Sequence, residues 1–188
     1  RIPPLPFELS VLPQRLFRFL QLPVVSYAIP ALIAVGILRF QRGKQGIFSP
    51  LRRCFIAPSL RVLERLQPVH GGFLEAAPLT AFVSMCLSCA GFRSHPVTQK
   101  AAQFLLNTVR PDGSWPIDTD ISGWVTSISI KVLADDLPID DRRSLDRQLC
   151  ANAFTYPHPF TGARPGGWGW SDLPGAVADV DDTSGALV

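Results

Sequence analysis

Three carboxylates, Asp179, Asp181 and Asp182, fall within four residues, directly before Thr183 and a small apolar run. Like charges this close oppose one another's ionisation, so one member of such a group tends to keep its proton and becomes available as an acid. The same residues also suit the first turn of a helix, where a carboxylate caps free backbone N–H groups and faces the positive end of the helix dipole. Acid chemistry and helix capping are therefore both open for Asp179–Thr183. A turn rich in glycine and tryptophan, PGGWGW from Pro165 to Trp170, precedes the cluster.

The elements that would position these acids show a loose internal repeat. Gln67, then Gly71-Gly72-Phe73, leads to Leu79-Thr80 and an apolar run. Gly113-Ser114-Trp115 leads to Val125-Thr126 and another, and Gly166-Gly167-Trp168 leads to Asp182-Thr183 and a third. The aromatics at 73, 115 and 168 are 42 and 53 residues apart, a period that fits two helices per repeat. The pattern predicts an all-α fold, an array of helical hairpins. Aligning the threonines places Leu79 and Val125 where the third copy has Asp182, and Pro78 and Trp124 where it has Asp181. The repeat does not demand acids at its helix start, which favours chemistry for the cluster.

An apolar fraction of 47% and a charged fraction of 18% over 188 residues exclude a disordered chain. A net charge of +3 gives no reason to expect nucleic acid as a partner. The cations are uneven: Arg39, Arg42, Lys44, Arg52, Arg53, Arg61 and Arg65 face Glu64 alone between residues 39 and 65. The expected organisation is a proline-rich lead-in and buried helix over 1–45, an amphipathic segment over 46–69, and helical repeats over 70–188. Within the first, residues 1–16 read as extended and a helix is expected to begin near Val24 and tolerate Pro30 as a kink. Pro23 and Pro30 interrupt the apolar run from Phe17 to Leu38, which argues against a membrane span. Gln41–Gln45 read as a polar linker. In the second, Ile47, Phe48, Leu51, Phe55, Ile56, Leu60, Leu63 and Leu66 alternate with arginines. That pattern fits a helix lying in a membrane surface or one packed on the domain, and both readings stand. Cys54, Cys86, Cys89 and Cys150 read as buried thiols of a reducing compartment. The CxxC at Cys86 and Cys89 lacks a second ligand pair for zinc.

The string Asp179-Val180-Asp181-Asp182-Thr183 resembles the DxDDT acid motif of the class II terpene cyclases of the squalene-hopene cyclase type, and the glycine-aromatic turns resemble their QW motifs. PGGWGW, followed eight residues later by DVDDT, is similar in spacing as well as composition. RIPPLPFELSVLP and VSYAIPALI also resemble upstream segments, so the likeness runs along the whole chain. It departs where Val109 replaces the glutamine of the second turn and Phe73 replaces tryptophan. The resemblance implies part of an α/α toroid, an isomerase with no cofactor and no metal, and protonation of a terminal isoprene double bond followed by a carbocation cascade. Asp181 would be the proton donor, with Asp179 and Asp182 as electrostatic partners. Trp170 and Trp124 would line the substrate cavity, Thr183 would make a local hydrogen bond beside the substrate, and Trp115 and Trp168 would pack the repeats. Tyr156 and Phe160 are further aromatic candidates. The implied partners are a squalene-like apolar polyprenyl substrate and the cytoplasmic face of a membrane, with a homodimer allowed. The chain is expected to be an internal segment whose acid-tuning histidine lies beyond Val188, since spacing assigns that role to none of His70, His95 and His158. Two alternatives stand beside this: a class II diterpene cyclase, for which no basic diphosphate clamp is evident, and a non-catalytic helical-toroid binding module. Asp135-Asp136 and Asp140-Asp141 read as solvated loop acids.

Overall fold

The computed structural model describes residues 6–13, 16, 19, 29–44, 46–133, 136–157 and 164–187. Every regular element among them is helical, and the only β-type pairing is an isolated bridge between Ala76 and Asp118. The all-α expectation holds. The chain divides into two compact units, Arg1–Thr119 and Asp120–Val188. The boundaries expected at 45/46 and 69/70 fall inside the first.

In the first unit, Phe7–Val11 forms a short 3-10 helix, so the lead-in is not wholly extended. Helix α1 spans Ile29–Arg42 and buries Ile33, Ala34, Ile37 and Phe40, one helical face. Pro30 lies in its first described turn, and the expected start near Val24 lies outside the described residues. Gln41 and Arg42 close this helix rather than opening a linker. The amphipathic stretch forms two helices, α2 (Ser49–Cys54) and α3 (Ile56–Leu66), which part at Phe55. Helix α3 turns Leu60 and Leu63 into the core, with Phe55, Ile56, Val62 and Leu66 packed against it. Its apolar side is thus a domain-packing face. Full burial of side chains such as Ile37 and Leu63 stabilises the unit by roughly 1.5–3 kcal/mol each.

Helices α4 (Ala77–Cys89) and α5 (Pro96–Thr108) pack as a hairpin, and α4 also packs on α1. Proline occupies the first turn of each, where its missing N–H costs no intrahelical bond. His95 caps α5 by accepting from the Val97 N–H at 3.4 Å. Between the Phe73 turn and α4, Leu74 and Glu75 are both left-handed, at φ 54° and 57°.

The second unit contains α6 (Ser122–Leu133), α7 (Ile139–Ala151) and α8 (Val180–Leu187), with α6 packed on both of the others. Its buried residues are mostly small or polar: Ser127, Leu149, Gly169, Ser171, Gly175, Ala176, Val177 and Asp182. Asp140 and Asp141 occupy the exposed first turn of α7 rather than a loop, and Asp136 is exposed. Asp135, His158 and Phe160 lie outside the described residues. Among the four free cysteines only Cys86 is buried, so burial fails for Cys54, Cys89 and Cys150. Desolvation is the first reason that the Cys86 thiol is pushed up, with Cys89 adding to it.

Candidate active site

Each of the three aromatic turns has a glycine two residues before the aromatic, held at positive φ: Gly71 at 96°, Gly113 at 83° and Gly166 at 98°. An L side chain rarely takes that conformation, which accounts for glycine there. The turns are closed differently. In the first, the buried Gln67 amide donates to the carbonyls of Gly71 and Val97, at 2.9 and 3.0 Å. The second has Val109 in place of that glutamine. There the Arg110 N–H bonds the Ser114 carbonyl at 2.8 Å, and Asp112 accepts from the N–H and hydroxyl of Ser114. In the third, Phe154 exchanges backbone bonds with Gly166 and Gly167. Trp115 and Trp168 donate their indole N–H to the carbonyls of Leu105 and Leu149, at 2.7 and 2.6 Å. Both tie the turn to the end of the helix before it, which is the packing role expected of them.

The Trp168–Trp170 segment runs through the centre of the candidate site. The Trp168 carbonyl accepts from the Asp179 N–H at 3.2 Å, and the Trp170 carbonyl accepts from the Trp124 N–H at 3.1 Å. This approach needs glycine on both sides. A Cβ at Gly169 would meet the Val177 carbonyl at 2.7 Å, and one at Gly123 would meet the Gly169 carbonyl at 2.6 Å. The structure thus brings Trp124 and Trp170 together through their backbones. Trp124 is 49% exposed and Trp170 is half-buried. Tyr156 is exposed, edge-on to Phe154.

The three acids have separate environments. The Asp179 carboxylate accepts from the Asp182 N–H at 2.7 Å and caps α8, a bond of the kind whose loss costs roughly 0.5–2 kcal/mol. Asp181 is exposed on the first turn of α8. Asp182 is buried, at 7% exposure. Burial first, then its hydrogen bond to Asp179, then the charges of Asp179 and Asp181 push its carboxyl up from the ordinary carboxylate range to about 7. The group that holds a proton near neutrality is thus Asp182, whereas the resemblance assigned the donor role to Asp181. Capping is also real here: the cluster opens a helix, with Asp179 as its cap.

Thr183 is committed internally. Its hydroxyl accepts from the Trp168 N–H at 3.0 Å and donates to the Trp168 carbonyl at 3.2 Å. It joins the Trp turn to the acid helix instead of presenting a polar group to a ligand. Thr80 likewise accepts from the Phe73 N–H, at 2.9 Å, but donates to the Ala76 carbonyl at the head of its own helix, at 2.8 Å. Thr126 has no such part. In α6 the hydroxyl that bonds back is that of Ser127, to the Gly123 carbonyl at 2.9 Å.

Sequence reasoning missed Asp120 and Ser171. Asp120 accepts from the Ser122 N–H at 3.1 Å and the Ser122 hydroxyl at 3.0 Å, and the buried Ser171 hydroxyl also donates to it. Asp120 thereby fixes the residue after Trp170 to the start of α6. An aspartate two residues before an apolar helical run is a capping signal, and it was available. In the first unit, the buried Glu75 bonds His70 at 2.8 Å, whose other ring nitrogen accepts from the Gly72 N–H at 3.2 Å. Among the described residues no group of three or more His, Cys, Asp and Glu is arranged to hold a metal ion. No family model, curated protein or solved structure matches the chain.

Proposed function

We propose that the chain belongs to an acid-initiated polyprenyl cyclase of the squalene-hopene type, and that residues 70–188 form helical hairpins of an α/α toroid. The observation that carries this reading is the buried Asp182 carboxyl, raised to about 7 beside Asp179 at a helix N-terminus. An alkene is a very weak base, so its protonation needs a carboxylic acid that is still protonated at the working pH. Asp182 meets that requirement, Asp179 is its hydrogen-bonding partner, and Asp181 is the exposed carboxyl of the same turn that a substrate reaches.

In the initiating step the acid's O–H bond breaks, the proton forms a C–H bond at the terminal alkene carbon, and a tertiary carbocation remains. The new carboxylate is stabilised by the N-terminus of α8, by ~0.3–1 kcal/mol when exposed and up to ~2 when partly buried. The faces of Trp124 and Trp170 are the groups suited to stabilise the cations without attacking them. Such an apolar substrate is delivered from a bilayer, so the enzyme works at a membrane surface, on its cytoplasmic side. The common positive-φ glycine turn and the Thr80 and Thr183 bonds support the repeat reading.

Incubation with squalene and with a C20 isoprenoid diphosphate, followed by mass spectrometry of the extracts, tests the proposal. Cyclised triterpene is expected from squalene. Asp182→Asn and Asp181→Asn should each reduce it by on the order of 10²–10⁴-fold. Product formation should fall as pH rises through about 7, where Asp182 loses its proton. Product from the diphosphate alone would overturn the reading, and full activity in Asp182→Asn would remove the acid from that residue.

A further inference from the structure

Asp112-Gly113-Ser114 and Asp120-Ile121-Ser122 repeat one short pattern, and only the second reaches beyond it. Asp112 accepts from the N–H and hydroxyl of Ser114, and among the described residues its hydrogen bonds stop there. Asp120 makes the same two bonds, with the N–H and hydroxyl of Ser122. Its second oxygen also accepts from the hydroxyl of Ser171, which is 51 residues on and buried. Opening α6 calls only for the local pair, so the long bond has some other use.

That bond lies beside both tryptophans of the candidate site. Ser171 follows Trp170 directly, and Ser122 stands two residues before Trp124. The Ser171 oxygen in turn accepts from the Leu173 N–H at 3.0 Å, so the carboxylate anchors the turn that leaves Trp170. The Trp124 N–H bond to the Trp170 carbonyl joins the two backbones, but a single such bond lets each peptide swivel about it. Asp120 fastens the residue after Trp170 to the residue that opens α6, and so sets the rotation as well as the approach. A carboxylate suits the place, because three donors converge on it and its oxygens only accept.

We propose that Asp120 is a positioning residue for the cation-bearing stage of the cyclisation, fixing the spacing of Trp170 and Trp124 through Ser171 and Ser122. This role rests on the cyclase reading above, and it takes no part in protonation, which belongs to the Asp179–Asp182 cluster. Cation–π attraction acts within about 6 Å of a ring centroid, and a misplacement of about 1 Å can cost on the order of 10²-fold in rate. A carbocation whose aromatic face has moved away has two exits. A neighbouring C–H bond breaks, its electron pair becomes an alkene bond and the proton passes to water. Otherwise a water oxygen forms a C–O bond to the cation and then loses a proton, leaving an alcohol. Loosening Asp120 therefore changes which products form more than it changes whether the reaction starts.

The test pairs a readout of placement with a readout of products on Asp120→Ala, Asp120→Asn and Ser171→Ala. Protein labelled with fluorotryptophan gives fluorine NMR signals for Trp115, Trp124, Trp168 and Trp170, assigned by single Trp→Phe changes. Asp120→Ala and Ser171→Ala should shift or broaden the Trp124 and Trp170 signals and leave Trp115 and Trp168 in place. Asp120→Asn, which can still accept from the Ser122 N–H, should fall between them and the parent. With squalene, Asp120→Ala should lower the yield of fully cyclised product by on the order of 10-fold to 10²-fold. Partly cyclised alkenes and alcohols should rise in its place, and squalene consumption should fall less than that yield. Unmoved Trp124 and Trp170 signals would overturn the inference. So would equal losses of consumption and product at an unchanged product ratio, which would leave Asp120 a helix cap only. If the parent yields no cyclised triterpene, the cyclase reading fails and the role in cyclisation with it, whereas the fluorine signals still decide whether Asp120 places the two indoles. Should Asp120→Ala not fold, Asp120→Asn and Ser171→Ala carry the same comparison.

Discussion

The Phe73 turn with α4 and the Trp168 turn with α8 are built alike and used differently. In both, a left-handed glycine precedes the aromatic, and a threonine four positions into the helix accepts the aromatic's backbone N–H. Helix α4 has Ala76 at its N-cap and no side-chain cap, and the turn before it is locked by Gln67 and packed against Phe104. Helix α8 is capped by Asp179 and carries a buried acid. The threonine bond is therefore the shared architecture, and the carboxylates are an addition to it. A buried acid held near 7 weakens the fold above the ordinary carboxylate range, a burden α4 does without.

Three experiments would break or sharpen that comparison. The largest effect is expected from glycine. Gly71 and Gly166 share the same φ, but a Cβ at Gly71 would lie 2.3 Å from the Lys100 carbonyl, whereas nothing lies within 4 Å at Gly166. Gly71→Ala should cost roughly 2–5 kcal/mol, backbone strain plus overpacking, and Gly166→Ala only the strain of about 1–2 kcal/mol. Equal losses in urea unfolding would mean that the two turns are not packed as described.

The next is a pH dependence. With its folded pKa raised from 3.8 to about 7, Asp182 binds its proton more tightly in the folded than in the unfolded chain. Its contribution is favourable below the unfolded value and is lost as pH rises towards and through about 7. Asp182→Asn, whose amide imitates the protonated acid, should flatten that slope and melt higher than the parent at pH 8. A parallel pair of melting curves from pH 4 to 8 would refute the buried-acid assignment.

The smallest effect separates the two threonines. Thr80 is fully buried, so Thr80→Val should cost about 1–3 kcal/mol by stranding the Phe73 N–H. Thr183 is only half-buried, and Thr183→Val should cost about 0.5–1.5 kcal/mol because water can reach Trp168. Reversal of that order would show that α8 depends on its threonine more than on its aspartate cap.

The all-helical fold was legible because the glycine-aromatic turns at Phe73, Trp115 and Trp168 recur at a spacing that leaves room for two helices each. The acid cluster was legible by composition, but its division of labour was not. Which of three neighbouring aspartates is buried is decided by how the start of α8 packs, and no local pattern encodes that. Thr183 was expected to make a local hydrogen bond beside the substrate, but its partner Trp168 lies 15 residues away in sequence, beyond the reach of a local pattern. The same limit hid the split of 47–66 into a packed α3 and an exposed stretch at Ile47, Phe48 and Leu51: one amphipathic pattern describes both until the core selects between them.

The left-handed pair Leu74-Glu75 carries a consequence for the order of folding. Local preference opposes that conformation, and its compensation is remote: Glu75 accepts from the N–H and hydroxyl of Thr119, 44 residues on, and bonds His70. A nucleus that forms first draws on local helical contacts, such as those joining α4 to α5. On that order the Leu74–Ala76 corner is expected to close late, so that its bonds slow unfolding more than they hasten folding. Glu75→Gln, which weakens the side-chain link to His70, is therefore expected to raise the unfolding rate of the first unit more than it lowers its folding rate, as stopped-flow unfolding and refolding would measure.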